Sequence, residues 1–583
     1  MIMKKIQYLL ITMLLFLQGC SNVLDKKPLD IISDAVVWSD PKLIDAYLAD
    51  LYYRVDFIEI RGNFAEQTSF AMIASMGGEG RSFGTHHQSY VASTTVITSA
   101  GIPSELDYWN YKNIRDCNYF IEKLKDSPLD QAIIAQRTAE VRFLRAYMYF
   151  QMVIRFGGVP IITKALDMNA TPDEIYVPRD SEKAVYDFII NEMNDIIQVL
   201  PPTYTAKDKG RPTKWAAYAL QSRAAIYAAS IAKYGQQQLN GLLGFPASDV
   251  ERYATISYDA SKAIIGNQIH ALYERQTDPV LNFQNLFVDE SADNKEVIMA
   301  EVYDYAKNRA HAFTLRAMSH DFNGTWASMC YMYDFVERFE FADGSPGNKI
   351  SRAQLTANEW SSAELFGNRD PRFKASVFYP ESPWQGGKTY FHSRTIRDGK
   401  TYTSGTAEDG WPYQSIARNN QRTGFMVKKR CNESLKTTTV INDQTDYIIF
   451  RLGEIYLNLA EAAYYKGLTG EALNALNRVR QRAQMPAKTT INEAIIQNER
   501  LVELTWENQS YWDIKRWRIA KNLLNGVRMA GLQYTYNYNT KKYKITITNA
   551  EGVARTFLDR NYYLPIGVNR VSENPKFVEN PDY

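Results

Sequence analysis

The chain has 583 residues, with 67 basic and 65 acidic side chains and a formal charge of +2. That balance excludes a protein that holds nucleic acid or an anionic membrane by bulk charge, and 45% hydrophobic with 23% charged residues excludes a disordered chain. Six His and four Cys leave little material for a metal centre or a disulfide scaffold, whereas 39 Tyr, 26 Phe and 10 Trp are an aromatic excess that needs a use.

The N-terminus reads as an export signal. Lys4-Lys5 form a positive region, and residues 6–17 are apolar apart from Gln7 and Thr12. That run is shorter than the roughly 20 residues a spanning helix needs, but it suits a secretory signal. Gly19-Cys20 follows, a small residue before a cysteine, and resembles the lipobox of bacterial lipoproteins. The expectation is cleavage before Cys20 and lipidation of its thiol. More than one acyl chain is needed for stable attachment. No later stretch is long and apolar enough to span a bilayer, so the mature protein is expected to be tethered to a membrane rather than embedded in it. Cys117, Cys330 and Cys431 remain as an odd, widely spaced set with no CxxC, read as buried single thiols.

Helices then dominate. Residues 139–156 place Val141, Leu144, Met148 and Met152 at helical spacing, and 157–160 (GGVP) end the run. Ser181 is placed to cap a helix that runs toward Leu200 and stops at Pro201-Pro202. Residues 215–232 hold so many alanines that neighbouring helix axes can approach closely. Val297-Ile298-Met299 predicts a short buried strand. From about 303 to 425 the periodicity breaks up among Gly, Pro, Ser, Asn and Trp, and long irregular stretches are usually functional. Helices are predicted over 450–466, from Ala472 through Leu476 and Val479, and over 491–507, the first two joined by a turn at 467–470. Alternation at Tyr534, Tyr536 and Tyr538, then at Tyr543, Ile545 and Ile547, predicts a small β-meander. Paired amphipathic helices with short turns suggest tetratricopeptide-like hairpins.

Several segments, in order, resemble the SusD/RagB family of Bacteroidetes surface lipoproteins. After Cys20 comes 24–28 (LDKKP). Trp109, Tyr111, Ile114, Cys117 and Asn118 resemble the family's first helix, and 139–147 (AEVRFLRAY) with 156–160 (FGGVP) its most distinctive N-terminal stretch. Residues 369–373 (RDPRF), 451–462 (RLGEIYLNLAEA), 476–483 (LNRVRQRA), 512–517 (WDIKRW) and 563–566 (YLPI) follow, with 573–575 (ENP) and 580–583 (NPDY) at the end. Ser21-Asn22-Val23 depart from the family by lacking the acidic run often seen in its surface-exported members.

The resemblance implies a mostly α fold: a helical scaffold of four tetratricopeptide-like hairpins carrying an irregular, loop-rich ligand-binding half and the small meander. The implied organisation is a signal peptide (1–19), a lipidated tether (20–40), an N-terminal helical region (41–300) and a C-terminal region (301–583). In the last, the binding part spans about 301–430 and the helices and meander about 446–583. The implied role is a cell-surface lid on a SusC-like TonB-dependent transporter that captures oligosaccharides, needs no cofactor and catalyses nothing. A peptide-binding member of the same family is the alternative, and a glycosidase is a reading from another class.

Glu499, Glu503 and Glu507 share a helix face, the material of a glycosidase pair, but basic neighbours, with Arg500, Arg516 and Arg518 as the expected partners, favour a bracing role. Residues 386–389 (GGKT) lack the first glycine of a phosphate loop, His86-His87 point in different directions as neighbours in an exposed loop, and Asp289, Ser291 and Asp293 lack the glycine of a calcium loop. A sugar ring offers an apolar C–H face to a flat aromatic and a rim of hydroxyls to planar polar groups. Trp109, Trp215, Trp506, Trp512 and Trp517 fall in helical segments and are expected in the core, and Trp360 in packing. Trp326 is therefore the expected platform, with Asn323 as its hydrogen-bonding neighbour. The loop over 77–101 supplies Arg81, Phe83 and Tyr90; in the resembled family, ligand contacts come from this loop and from the segment around Trp326.

Overall fold

A computed structural model describes residues 34–55, 57, 72–82, 95–103, 106–167, 169–307, 309–322, 329–415, 423–436 and 442–583. Helices α1 (Pro41–Val55), α2 (Tyr111–Lys125), α3 (Gln131–Phe156), α4 (Glu182–Ile196), α5 (Lys214–Tyr234) and α6 (Val250–Ile265) pack in series from α2 to α6. Helix α3 starts earlier than its apolar stripe because the Asp130 carboxylate accepts from the Ala132 amide and caps it. Gly157, at φ 72°, ends it in a backbone conformation that an L side chain would resist. Ser181 caps α4 as expected, its hydroxyl accepting from the Ala184 amide. The alanines of α5 are buried on every side, and α5 packs closely on α4 and α6.

The array does not stop at α6. Helix α7 (Leu452–Tyr465) packs directly on α6, and α8 (Thr469–Arg482) returns along it after the turn at Gly467. Helices α9 (Glu493–Glu503) and α10 (Ser510–Arg516) complete it. The N- and C-terminal helical regions therefore share one scaffold. A buried polar chain stitches it: Ser222 of α5 bonds Ser261 of α6 at 2.8 Å and accepts from Asn458 of α7 at 3.0 Å, and Arg500 of α9 donates to Asn458 at 2.6 Å and to Asp513 of α10 at 2.8 Å. Arg223 of α5 reaches Glu454 of α7 through two hydrogen bonds of 2.7 and 2.6 Å.

The strands are few. β1 (Gly80–Ser82) pairs antiparallel with β3 (Met329–Tyr331), and β2 (Val297–Glu301) with β7 (Tyr447–Arg451). The expected start of α7 at Phe450 is thereby corrected: Phe450 and Arg451 belong to β7, and β2 is the predicted buried strand that claims them. The expected meander is the hairpin β8 (Ala530–Asn537) and β9 (Lys542–Asn549). It is larger than its own sequence suggested. β4 (Glu359–Trp360) joins β9, while β5 (His392–Arg397) runs parallel to β8 and carries β6 (Lys400–Tyr402) at the edge. Part of the irregular stretch is thus held by the C-terminal hairpin.

The carboxylate row also resolves differently. α9 ends at Glu503, so Glu507 lies on the following turn. Arg372, from the RDPRF turn, donates to Glu499 at 2.6 Å and Glu503 at 3.0 Å. Arg480 takes the other Glu499 oxygen at 2.6 Å, Arg451 reaches Glu503 and Glu507 at 2.7 Å each, and Arg482 bonds Glu503. Arg451 and Arg482 also share Glu296, at 2.9 Å each, and Lys429 caps Glu507 at 2.6 Å. The partners are therefore not Arg500, Arg516 and Arg518, which pair with Asp513, with Glu461 and Asp513, and with Tyr563. Burial alone would raise the Glu503 carboxyl, but Arg482, Arg451 and Arg372 hold it well below the usual range. Removing one partner of such a buried set leaves charges uncompensated. Glu503→Gln should therefore lose about 3–5 kcal/mol of stability; urea unfolding followed by circular dichroism checks this, and a loss under about 1 kcal/mol would contradict it.

Candidate functional site

The ribbon of β1 and β3 organises the candidate site. Its base is locked. Gly80 lies so close to the Cys330 carbonyl and the Trp506 ring that an added Cβ would meet the ring at 2.6 Å. The Tyr331 and Trp506 rings are 5.7 Å apart, the Met332 amide donates to the Glu79 carbonyl at 2.9 Å, and the Trp506 amide donates to the Glu79 carboxylate at 3.1 Å. At the other end Ser82 pairs with Met329. The loop that continues after Ser82 and the segment that precedes Met329 therefore join the scaffold side by side.

The upstream flank of that segment is fixed too. Phe322 lies against Gly387, and the Asp321 carboxylate accepts from the Tyr390 amide at 3.0 Å. The Tyr390 carbonyl in turn accepts from the Ser415 hydroxyl at 2.7 Å. Tyr390 packs on Trp411 with centroids 5.1 Å apart, and Trp411 stacks on Tyr536 of β8 at 4.3 Å. The flanks at 322, 329 and 415 are thus placed by one ribbon and one aromatic shelf.

Among the sequence-predicted site residues, Phe83, Tyr90, Asn323 and Trp326 lie outside the described residues, as do Cys20 and His86-His87. Arg81, expected among the ligand contacts, is described: it is only 3% exposed, and its guanidinium donates to the Ala550 carbonyl, tying the ribbon to the end of the β8–β9 hairpin. Of the five tryptophans expected in the core, Trp506, Trp512 and Trp517 are buried, whereas Trp109 and Trp215 are half-buried and pack against its edge. Trp360 donates to the Leu355 carbonyl at 3.1 Å, in packing as expected, and Trp384 is buried. Cys117, Cys330 and Cys431 are buried, as expected, and burial pushes the Cys117 thiol up to about 12. The Asp289 turn is closed by Arg275, which donates to Asp289 at 2.8 Å and to Ser291 at 2.9 Å.

Sequence reasoning passed over a patch beyond β2. Tyr53 at the end of α1 and Tyr305 are 70% and 51% exposed, and the Arg309 guanidinium lies 5.6 Å from the Tyr53 ring and 5.3 Å from Tyr303. Glu301 pairs with Arg309 and orients it. The Tyr305 amide donates to Gln444 at 3.2 Å, fixing the backbone beneath the exposed ring. The helix Phe313–Ala317 that follows packs on β3, so this patch and the ribbon are carried by one stretch of chain. The only hint in the sequence was the loss of periodicity from about 303 onward.

Comparison with known proteins agrees with this architecture. Residues 295–583 match the SusD family, and residues 24–226 match a SusD-like family described as starch-binding associating with outer membrane. A SusD-like protein of Bacteroides ovatus is 24% identical over 532 residues, covering 88% of this chain and 82% of that one. Among solved structures, a SusD-like protein from Bacteroides fragilis superposes with a TM-score of 0.71 at 26% identity, covering 96% of this chain and all of that one. A SusD-like carbohydrate binding protein from the same organism gives 0.70 at 22% identity, over 93% and 99% of the two chains. The chain belongs to the SusD-like family. No helix among the described residues is long and apolar enough to cross a membrane.

The base of the ribbon carries a titratable group. Burial pushes the Glu79 carboxyl up to about 7, against hydrogen bonds and the charge of Lys429 that favour its ionised form. The folded state therefore binds a proton more readily than the unfolded one, and stability falls as pH rises from about 4.5 to about 7, by about 3 kcal/mol in all. Below that window the contribution is intact, and above it the loss is constant. Unfolding free energy measured across pH 4–8 should show this fall in the wild type, and Glu79→Gln should flatten it. An equal fall in the variant would assign it to another group.

Proposed function

We propose that the protein is a non-enzymatic, lipid-anchored glycan-binding component of the cell surface that passes oligosaccharides to a SusC-like TonB-dependent transporter. The observation that carries this reading is the convergence at the ribbon. The loop bearing Phe83 and Tyr90 leaves from Ser82, and the segment bearing Asn323 and Trp326 arrives at Met329, its direct pairing partner. Aromatic and planar polar side chains on those two segments suit a pyranose, whose C–H face stacks and whose hydroxyls pair. Tyr305 and Arg309 extend the same chemistry onto a described, exposed surface. The carbohydrate-binding relative of the same fold supports the ligand class.

The buried carboxylates argue against hydrolysis. A glycosidase needs one carboxylic acid able to give up a proton to the leaving group. Glu499 and Glu503 are instead buried, and despite that burial each is held ionised by surrounding arginines.

Trp326→Ala should weaken binding about 30-fold, the effect of removing a stacked anchor worth about 2 kcal/mol. Its melting temperature should stay within about 1 °C of wild type, since a buried tryptophan would cost about 3–5 kcal/mol of stability. Affinity electrophoresis against a panel of polysaccharides, with reducing ends assayed in parallel, checks both. Lost stability with unchanged affinity would place Trp326 in the core and leave Phe83, Tyr90 and Tyr305 as the aromatic contacts. Binding of peptides but of no glycan would favour the peptide-binding alternative.

The anchor has its own test. Cys20→Ala should yield a folded protein that no longer partitions with membranes, because one thiol would carry the attachment. Detergent phase separation of the variant should move it to the aqueous phase; retention in the detergent phase would contradict lipidation at this cysteine.

A further inference from the structure

A cavity of about 20 Å³ lies where α3, α4, α5 and α10 meet. Ile154, Tyr186, Tyr227, Trp512 and Lys515 are among the residues that line it. Space of that size admits about one water-sized particle. Two polar groups facing this junction have no protein partner: the Lys515 ammonium and the Tyr186 hydroxyl, both on buried residues. The other charged groups of the lining are committed. Glu182 accepts from the Tyr563 hydroxyl and the Gly244 amide at 2.7 Å each, Arg518 donates to Tyr563 at 2.8 Å, and Arg516 is committed to Glu461 and Asp513.

The charge around the cavity is lopsided. Once Arg516 is set against Glu461 and Asp513, the lining retains Lys515 and Arg518 against the single carboxylate Glu182. Arg155 adds a further positive charge beside Lys515; it donates to the Leu106 and Gln151 carbonyls at 3.1 and 2.8 Å. The Lys515 ammonium otherwise faces rings, 5.0 Å from Trp512 and 5.2 Å from Tyr511. Burying an ammonium without a counter-charge is costly, and the ion responds by losing its proton or by gaining an anion. Burial, with Arg518 and Arg155 nearby, pushes Lys515 far toward the first outcome. The unpartnered hydroxyl of Tyr186 and the excess of guanidinium charge favour the second.

We propose that this cavity is a monatomic anion site, filled by chloride, in which the Lys515 ammonium and the Tyr186 hydroxyl hold the ion at the junction of four scaffold helices. Only a single-atom anion suits the volume. Sulfate, phosphate and carboxylates are too large, and fluoride is too strongly hydrated to leave water for two donors. The ion would join α4, which supplies Tyr186, to α10, which supplies Lys515. It would thus be a structural ligand of the scaffold, remote in chemistry from the glycan face.

The test uses the purified protein in two arms. Crystals grown or soaked in bromide should show an anomalous peak between Lys515 and Tyr186. In solution, the melting temperature at fixed pH and ionic strength should rise saturably as chloride replaces gluconate, with bromide acting like chloride and sulfate like gluconate. Tyr186→Phe, which removes one hydroxyl and keeps the ring, should raise the half-saturating chloride concentration about fivefold, the loss of one hydrogen bond. Lys515→Met should abolish the chloride dependence; should that variant fail to fold, Tyr186→Phe and the bromide peak still decide. No bromide peak at this position, or the same chloride dependence in wild type and Tyr186→Phe, would overturn the proposal in favour of a neutral lysine beside a water molecule.

Discussion

The fold depends most on the ionised, buried carboxylate of Glu503. It sits at the end of α9 and is bonded by arginines from three other places in the chain: Arg372 of the RDPRF turn, Arg451 at the end of β7 and Arg482 at the end of α8. None of these groups could be buried alone, because an unpaired charge in a low-dielectric interior is far costlier than any single packing contact. Together, with Glu499, Glu507 and Glu296 balancing the remaining guanidinium and ammonium groups, they neutralise one another. The consequence is geometric. The loop-rich half cannot shift against the helices without exposing a charge, so the scaffold and the binding half are locked in one relation.

That lock reaches the candidate site by short steps. Lys429, which caps Glu507, also donates to the Thr505 carbonyl, and the next residue, Trp506, packs against Gly80 and Tyr331 at the base of the ribbon. Trp506 itself is held at φ 56°, an unfavourable backbone conformation for a bulky residue, which the surrounding contacts enforce. Arg81 then ties the ribbon to the β8–β9 hairpin. A rigid base of this kind suits a receptor whose contacts come from the segments beyond it: the base supplies position, and the segments supply chemistry.

The aromatic excess divides accordingly. Most of it is core, and the indoles of Trp506, Trp512 and Trp517 are buried among helices and charged partners. Arg155 over Trp512 at 4.7 Å and Arg516 over Trp517 at 4.6 Å show rings serving as counter-surfaces for buried guanidinium groups. Among the described residues Tyr53 and Tyr305 are the exceptions, large rings held in solvent, with the Arg309 guanidinium beside Tyr53. Aromatic abundance alone pointed equally to packing and to ligand stacking, and exposure separates the two.

The sequence by itself determined the local elements and the family. Helical periodicity and capping chemistry located α3, α4 and α5, the turn at Gly467 located the α7–α8 hairpin, and alternation located β8 and β9, because each of these is decided by residues close together in the chain. The ordered motifs spanning the chain were legible for the same reason. Only the tertiary structure decided which distant groups meet. It took Phe450 and Arg451 from the helix into β7, because β2 offered a pairing edge. It replaced the expected arginine partners of Glu499, Glu503 and Glu507 with Arg372, Arg451, Arg480 and Arg482. It buried Arg81 and left Tyr305 exposed and Arg309 half-buried. Periodicity reports which face of an element is apolar, but it carries no information about what that face will touch.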